Sequence, residues 1–199
     1  LQQQRGSGSQ IFCGRCNSFL GENYVHEYSR WVAQAKSHLA SRSIGDTRRY
    51  FFPFRGRPLL FLKQVISMMF STSENFTCAA HPTLANFVLN VETTGLPAHY
   101  GIEMHLVRGP YMRSIGDYCY TAGSGLFRGY EVAFTPFAFQ LATENTTLRK
   151  AYRIDHFANY SRARTCNELL FGSIGELWSK YPGDYRTLDE IESDRNDTP

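Results

Sequence analysis

The sequence predicts an α+β protein in which helices come first and an antiparallel sheet follows. Apolar residues between Leu20 and Leu39 recur every three or four positions, which is typical of an amphipathic helix. A nearly continuous apolar run follows Pro58, and from Tyr100 onward the apolar period becomes two, which indicates strands. Helices followed by strands favour an α+β fold over an alternating α/β fold.

The first half of the chain contains three predicted helices. The first covers about five or six turns from Leu20 and ends near Arg42. The second begins at Pro58, because proline is well tolerated in the first helical turn, and it is apolar on nearly all sides as far as Phe70. A helix that is apolar all round is packed from all sides, so we place this one at the centre of the fold. Pro82 opens a third, short helix.

The second half contains the predicted strands. Tyr100 to Leu106 alternates apolar with polar or small residues, which predicts a half-buried strand, and a second strand covers Ile115 to Thr121. The stretch from Gly129 to Thr143 changes parity at Thr135-Pro136, where we expect a bulge or a kink because proline cannot donate to the ladder. We predict a further strand near Ala151 to Phe157.

Composition divides the chain into four expected segments. Residues 1–11 are a flexible lead-in, 12–42 a zinc knuckle with its helix, 43–186 an α+β domain, and 187–199 a frayed acidic tail. With 199 residues, 42% of them hydrophobic, the chain can bury a core of its own. Apolar runs long enough to span a membrane are absent from the sequence, so we expect no membrane partner.

The net charge and the number of cysteines limit the functional classes to which this sequence can belong. The formal net charge of +3 is mild and does not by itself indicate nucleic-acid binding. The five cysteines are an odd number, whereas a secreted disulfide framework normally uses an even one. We therefore expect a reduced, cytoplasmic setting.

A C-x-x-C knuckle near the start of the chain carries the sharpest chemical signal. Cys13 and Cys16 are three residues apart, a spacing that directs two thiols at one tetrahedral zinc ion. A structural zinc site needs four ligands, and no second C-x-x-C occurs. One alternative is completion within the chain by Cys78 and His81, which form a C-x-x-H pair; the other is completion by ligands from elsewhere.

The run from Phe12 to Gly21, which includes Cys13-Gly14-Arg15-Cys16-Asn17, resembles the second zinc knuckle of HNH endonucleases. In that family a C-x-x-C-N sequence precedes the last helix of a ββα-metal fold. The chain is similar to a bacterial HNH group in which a long region follows this knuckle. Four later segments fit that region: Arg57 to Phe70, His81 to Leu89, Tyr130 to Leu141, and Ile154 to Phe157.

The resemblance implies roles for three residues. Cys13 and Cys16 would hold structural zinc, with partner thiols supplied from upstream, and Asn17 would lie near a catalytic Mg²⁺ or Mn²⁺ ion. The family's first knuckle and its catalytic His do not occur before Cys13, so we expect them outside this sequence. The alternative for Asn17 is a helix cap, whose side chain binds free backbone N–H groups.

A basic and aromatic cluster follows the first helix. Four arginines alternate with aromatic residues over ten positions: Arg48, Arg49, Arg55 and Arg57, with Tyr50, Phe51, Phe52 and Phe54. Such a cluster grips phosphates while its aromatic rings stack on bases. The alternative is that the arginines are the solvated edges of a buried aromatic strand.

Two functional hypotheses follow. The first is an HNH-like endonuclease, or the part of one downstream of its catalytic His, which hydrolyses DNA phosphodiester bonds with a divalent metal ion. The second is a non-catalytic, zinc-stabilised module that binds nucleic acid or a protein. An upstream C-x-x-C and Asp-His in the same gene would favour the first hypothesis.

Overall fold

A computed structural model of the chain describes residues 12–44, 48–72, 76–122, 125–143, 153–177 and 181–196, without the side chains of residues 120–127 and 194–196. It confirms the predicted α+β class: helices come first and sheets follow. The predicted lead-in, residues 1–11, lies outside the described residues.

α2 and α4 each bury one face, whereas α3 is buried on nearly every side. The first predicted helix is confirmed, although it begins earlier, at Gly14, and contains a π-helical turn. The helices are α1 (Gly14–Leu20), the π-helical turn (Gly21–Val25), α2 (His26–Ala40), α3 (Pro58–Thr72), α4 (Pro82–Leu89), a 3₁₀ helix (Asp155–Asn159) and α5 (Leu188–Asn196).

The strands form two sheets. A two-stranded antiparallel sheet pairs β1 with β6, and a five-stranded sheet has the order β3-β4-β5-β2-β7, in which only β2 and β7 are parallel. The strands are β1 (Tyr50–Gly56), β2 (Tyr100–Arg108), β3 (Arg113–Ala122), β4 (Gly125–Phe134), β5 (Phe137–Thr143), β6 (Cys166–Gly172) and β7 (Ile174–Glu176).

The core lies between α3 and the five-stranded sheet, and α2 joins it to the small sheet. Trp31 of α2 is fully buried and stacks on Phe54 of β1 and Phe61 of α3, with ring centroids 5.0 and 4.3 Å apart. Phe61 in turn contacts Phe137 and Phe139 of β5. One aromatic cluster therefore connects α2, α3 and both sheets, which confirms the central position predicted for α3.

The prediction that β2 is half-buried was wrong. Every residue from Tyr100 to Val107 is buried. Ile102 and Met104 belong to the main core, while Glu103 and His105 face the opposite side. That side is covered by Tyr185, whose ring stacks on His105 at 4.4 Å. The alternation of apolar and polar residues in β2 therefore corresponds to one apolar face in the main core and one polar face that is buried as well.

The parity change at Thr135-Pro136 marks a chain reversal and not the expected bulge. The peptide bond is cis, and β4 and β5 pair directly on either side of it, with Phe134 opposite Phe137. A tight turn with a cis-proline at its third position reverses the chain within four residues. The stretch from Gly129 to Thr143 is thus part of a hairpin made of β4 and β5.

Two further predictions differ from the structure. In place of a strand ending at Phe157, Arg153 makes one isolated bridge to Glu103, and the 3₁₀ helix follows. Within the predicted tail, residues 188–196 form α5, whose start is capped by Thr187: the Glu190 backbone N–H donates to Thr187 Oγ1 at 3.4 Å, and the Thr187 backbone N–H donates to Glu190 Oε2 at 2.7 Å. This reciprocal capping arrangement explains why an acidic segment is helical.

Candidate metal centre and nucleic-acid interface

Cys13 and Cys16 lie together at the start of α1. Cys13 is the N-cap residue, and its Sγ accepts a hydrogen bond from the Cys16 backbone N–H at 3.4 Å. Hydrogen bonds from Cys16 lower the pKa of the Cys13 thiol, and the contact with Cys13 raises the pKa of Cys16. Cys13 is therefore the more readily ionised thiol of the pair. The thiolate is the form of cysteine that binds metal.

Asn17 is the fourth residue of α1, and its side chain is exposed. Its backbone N–H donates to the Cys13 carbonyl at 3.0 Å, as in an ordinary helical turn. The alternative that Asn17 caps this helix was wrong, because Cys13 occupies the N-cap position and its sulfur accepts the capping hydrogen bond. Asn17 therefore has its side chain at the surface, directly after Cys16.

Cys78 and His81 lie in the turn before α4, and His81 is the N-cap residue of that helix. Burial raises the pKa of the half-buried Cys78 thiol. The His81 ring contacts two tyrosines: Nδ1 is 2.8 Å from Tyr100 Oη, and Nε2 is 3.3 Å from Tyr130 Oη. Both ring nitrogens of His81 are thus engaged by hydroxyl groups of the sheet.

These four residues do not assemble into one metal site. All five cysteines and all six histidines lie in the described part of the chain. Within that part, no group of three or more His, Cys, Asp or Glu side chains is placed to hold a metal ion. Cys13 and Cys16 lie together, and Cys78 is near enough to contribute to the raised pKa of Cys16, but no third and fourth ligand complete a group with them among the described residues.

A site for Mg²⁺ or Mn²⁺ is not formed around Asn17 by the described residues either. These ions prefer oxygen ligands, usually with one or two carboxylates, and the described residues contain no group of three or more His, Cys, Asp or Glu side chains that could hold such an ion. Asn17 would therefore act there only together with ligands from another segment or chain.

The four arginines of the basic cluster have different environments. Arg57 is bound to Glu27 of α2, a carboxylate with no exposed surface: Nε and Oε2 are 3.0 Å apart, and the Arg57 backbone N–H donates to Oε1 at 2.9 Å. Arg30 Nη1 and Trp31 Nε1 also donate to this carboxylate. Arg57 thus ties β1 to α2 and is not a free phosphate ligand.

Arg55 lies on the exposed side of β1, and Arg48 and Arg49 are exposed immediately before this strand. Burial alternates along the strand, so Phe52 and Phe54 face the core, as the alternative with a buried aromatic strand predicts. The outer edge of β1 is closed by α2: Gln34 exchanges two hydrogen bonds with the Arg55 backbone, at 2.7 and 2.9 Å. The Arg55 side chain therefore projects from a strand that α2 holds in place.

The exposed face of the small sheet carries aromatic residues that the sequence did not bring together. Phe51 of β1 is 61% exposed and pairs across the sheet with Phe171 of β6, with ring centroids 5.0 Å apart. Leu169, opposite Pro53, is 60% exposed. β6 carries no clear alternation of apolar and polar residues, so its pairing with β1 could not be predicted from the sequence.

A groove of about 630 Å³ lies along β6. Its lining combines apolar side chains, among them Leu96 and Phe171, with polar ones that include Arg153, His156 and Asn159. Asp155 and His156 therefore line a cavity, and His156 Nε2 lies 3.4 Å from Glu168 Oε2 of β6.

Comparisons with protein-family models, curated proteins and solved structures found no match to this chain. Across the described ranges, none of the helices has both the length and the apolar character needed to span a membrane.

Proposed function

We propose that this chain is an HNH-endonuclease-like region that binds DNA, and that Cys13 and Cys16 supply half of a structural zinc site. The observation that carries the proposal is the pairing of the two thiols at the first turn of a helix, with Cys13 exposed and its pKa lowered. Two thiols so placed are the half-site that a C-x-x-C knuckle provides. The helix that follows agrees with the order knuckle, then helix, of the HNH resemblance.

The zinc is structural in this proposal. When bound, it would cross-link α1 to the segment that supplies the other two ligands and add folding free energy. α1 itself is anchored to the core, because Phe12 packs edge-on against Phe70 at 6.0 Å and Leu20 is buried. A ligand set completed from another segment would therefore be held against the helical side of the fold.

The DNA-contacting residues in this proposal are Arg48, Arg49 and Arg55. Their exposure within and just before β1 supports contacts to phosphates, which supply most of the sequence-independent affinity for DNA. We do not include Arg57 among the DNA-contacting residues, because its guanidinium neutralises the buried Glu27. The five free cysteines support the cytoplasmic setting in which such a protein would meet DNA.

Hydrolysis of DNA by an HNH-like mechanism requires a metal-binding group, and the described residues contain no cluster of three or more His, Cys, Asp or Glu side chains that could form one. This observation favours the second candidate, a zinc-stabilised module that binds nucleic acid without cutting it. The two candidates share the thiol pair and the arginines and differ only in the cleavage step.

The test is binding and nicking of duplex DNA by the full-length protein. Replacing both Arg49 and Arg55 by Ala should lower the slope of log K against log salt by about two, because two phosphate contacts are lost. Lys36→Ala, an exposed change on α2, should leave binding unchanged. Nicking that depends on Mg²⁺ or Mn²⁺ supports the nuclease; binding without nicking supports the module; absence of DNA binding contradicts both.

A further inference from the structure

The exposed face of the β1–β6 sheet presents aromatic and aliphatic side chains to the surface. Phe51 and Leu169 are 61% and 60% exposed, although both belong to regular strands. Phe51 and Phe171 form a pair of rings with an interplanar angle of 42°. Contiguous exposed apolar surface rimmed by polar residues marks an interaction site on a folded protein.

The groove along β6 continues this surface. Phe171 belongs both to the exposed ring pair and to the groove wall, so one aromatic side chain connects the two. The groove volume of about 630 Å³ lies within the range of small-molecule and base-sized pockets. The groove lining also includes the Asn159 amide and the His156 ring, which are both exposed at the 3₁₀ helix.

The charged groups near this surface indicate which kind of ligand it would bind. Arg55 lies on the same exposed face of β1 as Phe51, four residues away, and Arg49 immediately precedes the strand. Arg153 lines the groove, with a side chain that is 48% exposed. Two acidic groups lie beside these residues: Asp155 accepts from the Ile102 backbone N–H and from Arg153, and Glu168 lies 3.4 Å from His156 Nε2. The surface thus combines exposed cations with apolar rings.

We propose that this surface binds single-stranded DNA, with one base stacked on the Phe51–Phe171 pair and a neighbouring base inserted into the groove beside β6. The proposal deepens the DNA-binding function proposed above and rests on it. Arg49 and Arg55 contact the phosphates, and Asn159 and His156 face the polar edge of the inserted base.

Single strands fit these features better than duplex DNA does. Base faces in a duplex are covered by their neighbours, so an aromatic platform gains contact only with unstacked bases. Stacking on a ring tolerates every base, whereas an amide in a groove discriminates between base edges. Because β1 extends about 20 Å from Tyr50 to Gly56, its face can follow several nucleotides.

The experiment compares two fluorescent probes, a 12-nucleotide single strand and the 12-base-pair duplex of the same sequence, by anisotropy with the full-length protein. Phe51→Ala should weaken single-strand binding about ten-fold, since one stacked base is lost, and change duplex binding less than two-fold. Asn159→Ala should weaken binding of the single strand in a base-dependent manner. Tyr181→Ala, which removes an aromatic ring that is 77% exposed elsewhere, is the matched control.

The outcomes separate this proposal from the preceding one. Duplex binding that the arginine variants weaken, without single-strand binding that Phe51→Ala weakens, overturns the single-strand proposal and leaves the DNA-binding function standing. Failure to bind either probe overturns both. Equal loss with Phe51→Ala and Tyr181→Ala contradicts the assignment to this face. Because Phe51 is largely exposed, its replacement leaves the core intact, which an unchanged melting temperature would verify.

Discussion

Glu27 and Arg57 form an ion pair that joins α2 to the end of β1, with 3.0 Å between Oε2 and Nε and no exposed surface on the carboxylate. The carboxylate also accepts hydrogen bonds from Arg30, Trp31 and the Arg57 backbone N–H. Four donors therefore converge on one buried charge. This arrangement holds the strand that carries Arg55 and Phe51 against the helical layer.

Glu27→Gln should destabilise the fold by about 2 to 4 kcal/mol, because an amide cannot satisfy all four donors and a buried charge pair is broken. Urea unfolding followed by circular dichroism measures the change. Glu92→Gln, which alters an exposed ion pair with Arg162, is the control and should cost less than about 0.5 kcal/mol. A Glu27→Gln protein as stable as the control would contradict the structural role of this carboxylate.

Gly56→Ala should be strongly destabilising. A β-carbon at Gly56 would overlap the Glu27 carboxylate and the Trp31 indole nitrogen, and both side chains are buried and packed. We expect a loss of about 2 kcal/mol or more. Gly21→Ala should have the opposite sign, a gain of about 0.5 kcal/mol, because the space around Gly21 is open and Gly weakens a helix. Thermal unfolding of the two variants distinguishes them, and similar melting temperatures would argue against this packing.

Lys63 makes stability depend on pH. Burial lowers the pKa of its ammonium from 10.5 to about 8, although its Nζ donates to the Asn90 carbonyl at 2.6 Å. Between these two pKa values the unfolded chain holds a proton that the folded chain has lost, so the free energy of unfolding rises with pH. Lys63→Met removes this titration.

The stability of wild type relative to Lys63→Met should therefore increase by about 2 kcal/mol from pH 7 to pH 10. Chemical denaturation of both proteins at the two pH values gives this difference, in which the titration of other groups cancels. A constant difference, or one that falls with pH, would mean that Lys63 keeps an ordinary pKa in the folded state.

Arg113 anchors the C-terminal segment to the outer face of the large sheet. Its Nε lies 2.6 Å from Glu131 Oε1, and its two Nη groups donate to the Tyr181 and Asp184 carbonyls at 2.7 and 3.1 Å. Glu131 also accepts from Tyr185 Oη at 2.8 Å. A planar guanidinium makes these contacts simultaneously, which a lysine cannot reproduce.

Arg113→Lys should increase amide hydrogen exchange in residues 181–187 at least ten-fold, while α3 keeps its protection. Mass spectrometry of peptic fragments measures both regions in one sample. Arg128→Lys, a change in an exposed pair with Asp117, serves as the control. Unchanged exchange in the C-terminal segment would show that other contacts hold it.

The helices and most strands were predictable because their signals are local. Proline at the first turn places the starts of α3 and α4, and the all-round apolar character of α3 predicts its central position. The pairing of β1 with β6 joins residues more than 100 positions apart, and β6 has no clear periodicity. The Thr135-Pro136 turn was misread because a two-residue reversal and a bulge both shift the parity of a strand.

The candidate site was predictable only in part, for the same reason. The thiol pair is a local motif, and α1 brings Cys13 and Cys16 together as their spacing indicates. The role of Arg57 depends on Glu27, thirty residues earlier, and no sequence pattern links the two. Phe51, Phe171 and the groove beside β6 become one surface only through sheet pairing and the position of the 3₁₀ helix.

The most direct test of the zinc half-site is the metal content of the purified full-length protein, measured by elemental analysis. The proposal predicts one zinc per chain, loss of that zinc in Cys16→Ser, and full retention in Cys119→Ser, which removes an exposed thiol on β3. Zinc content that is unchanged by Cys16→Ser, or a wild-type protein without zinc, would contradict it.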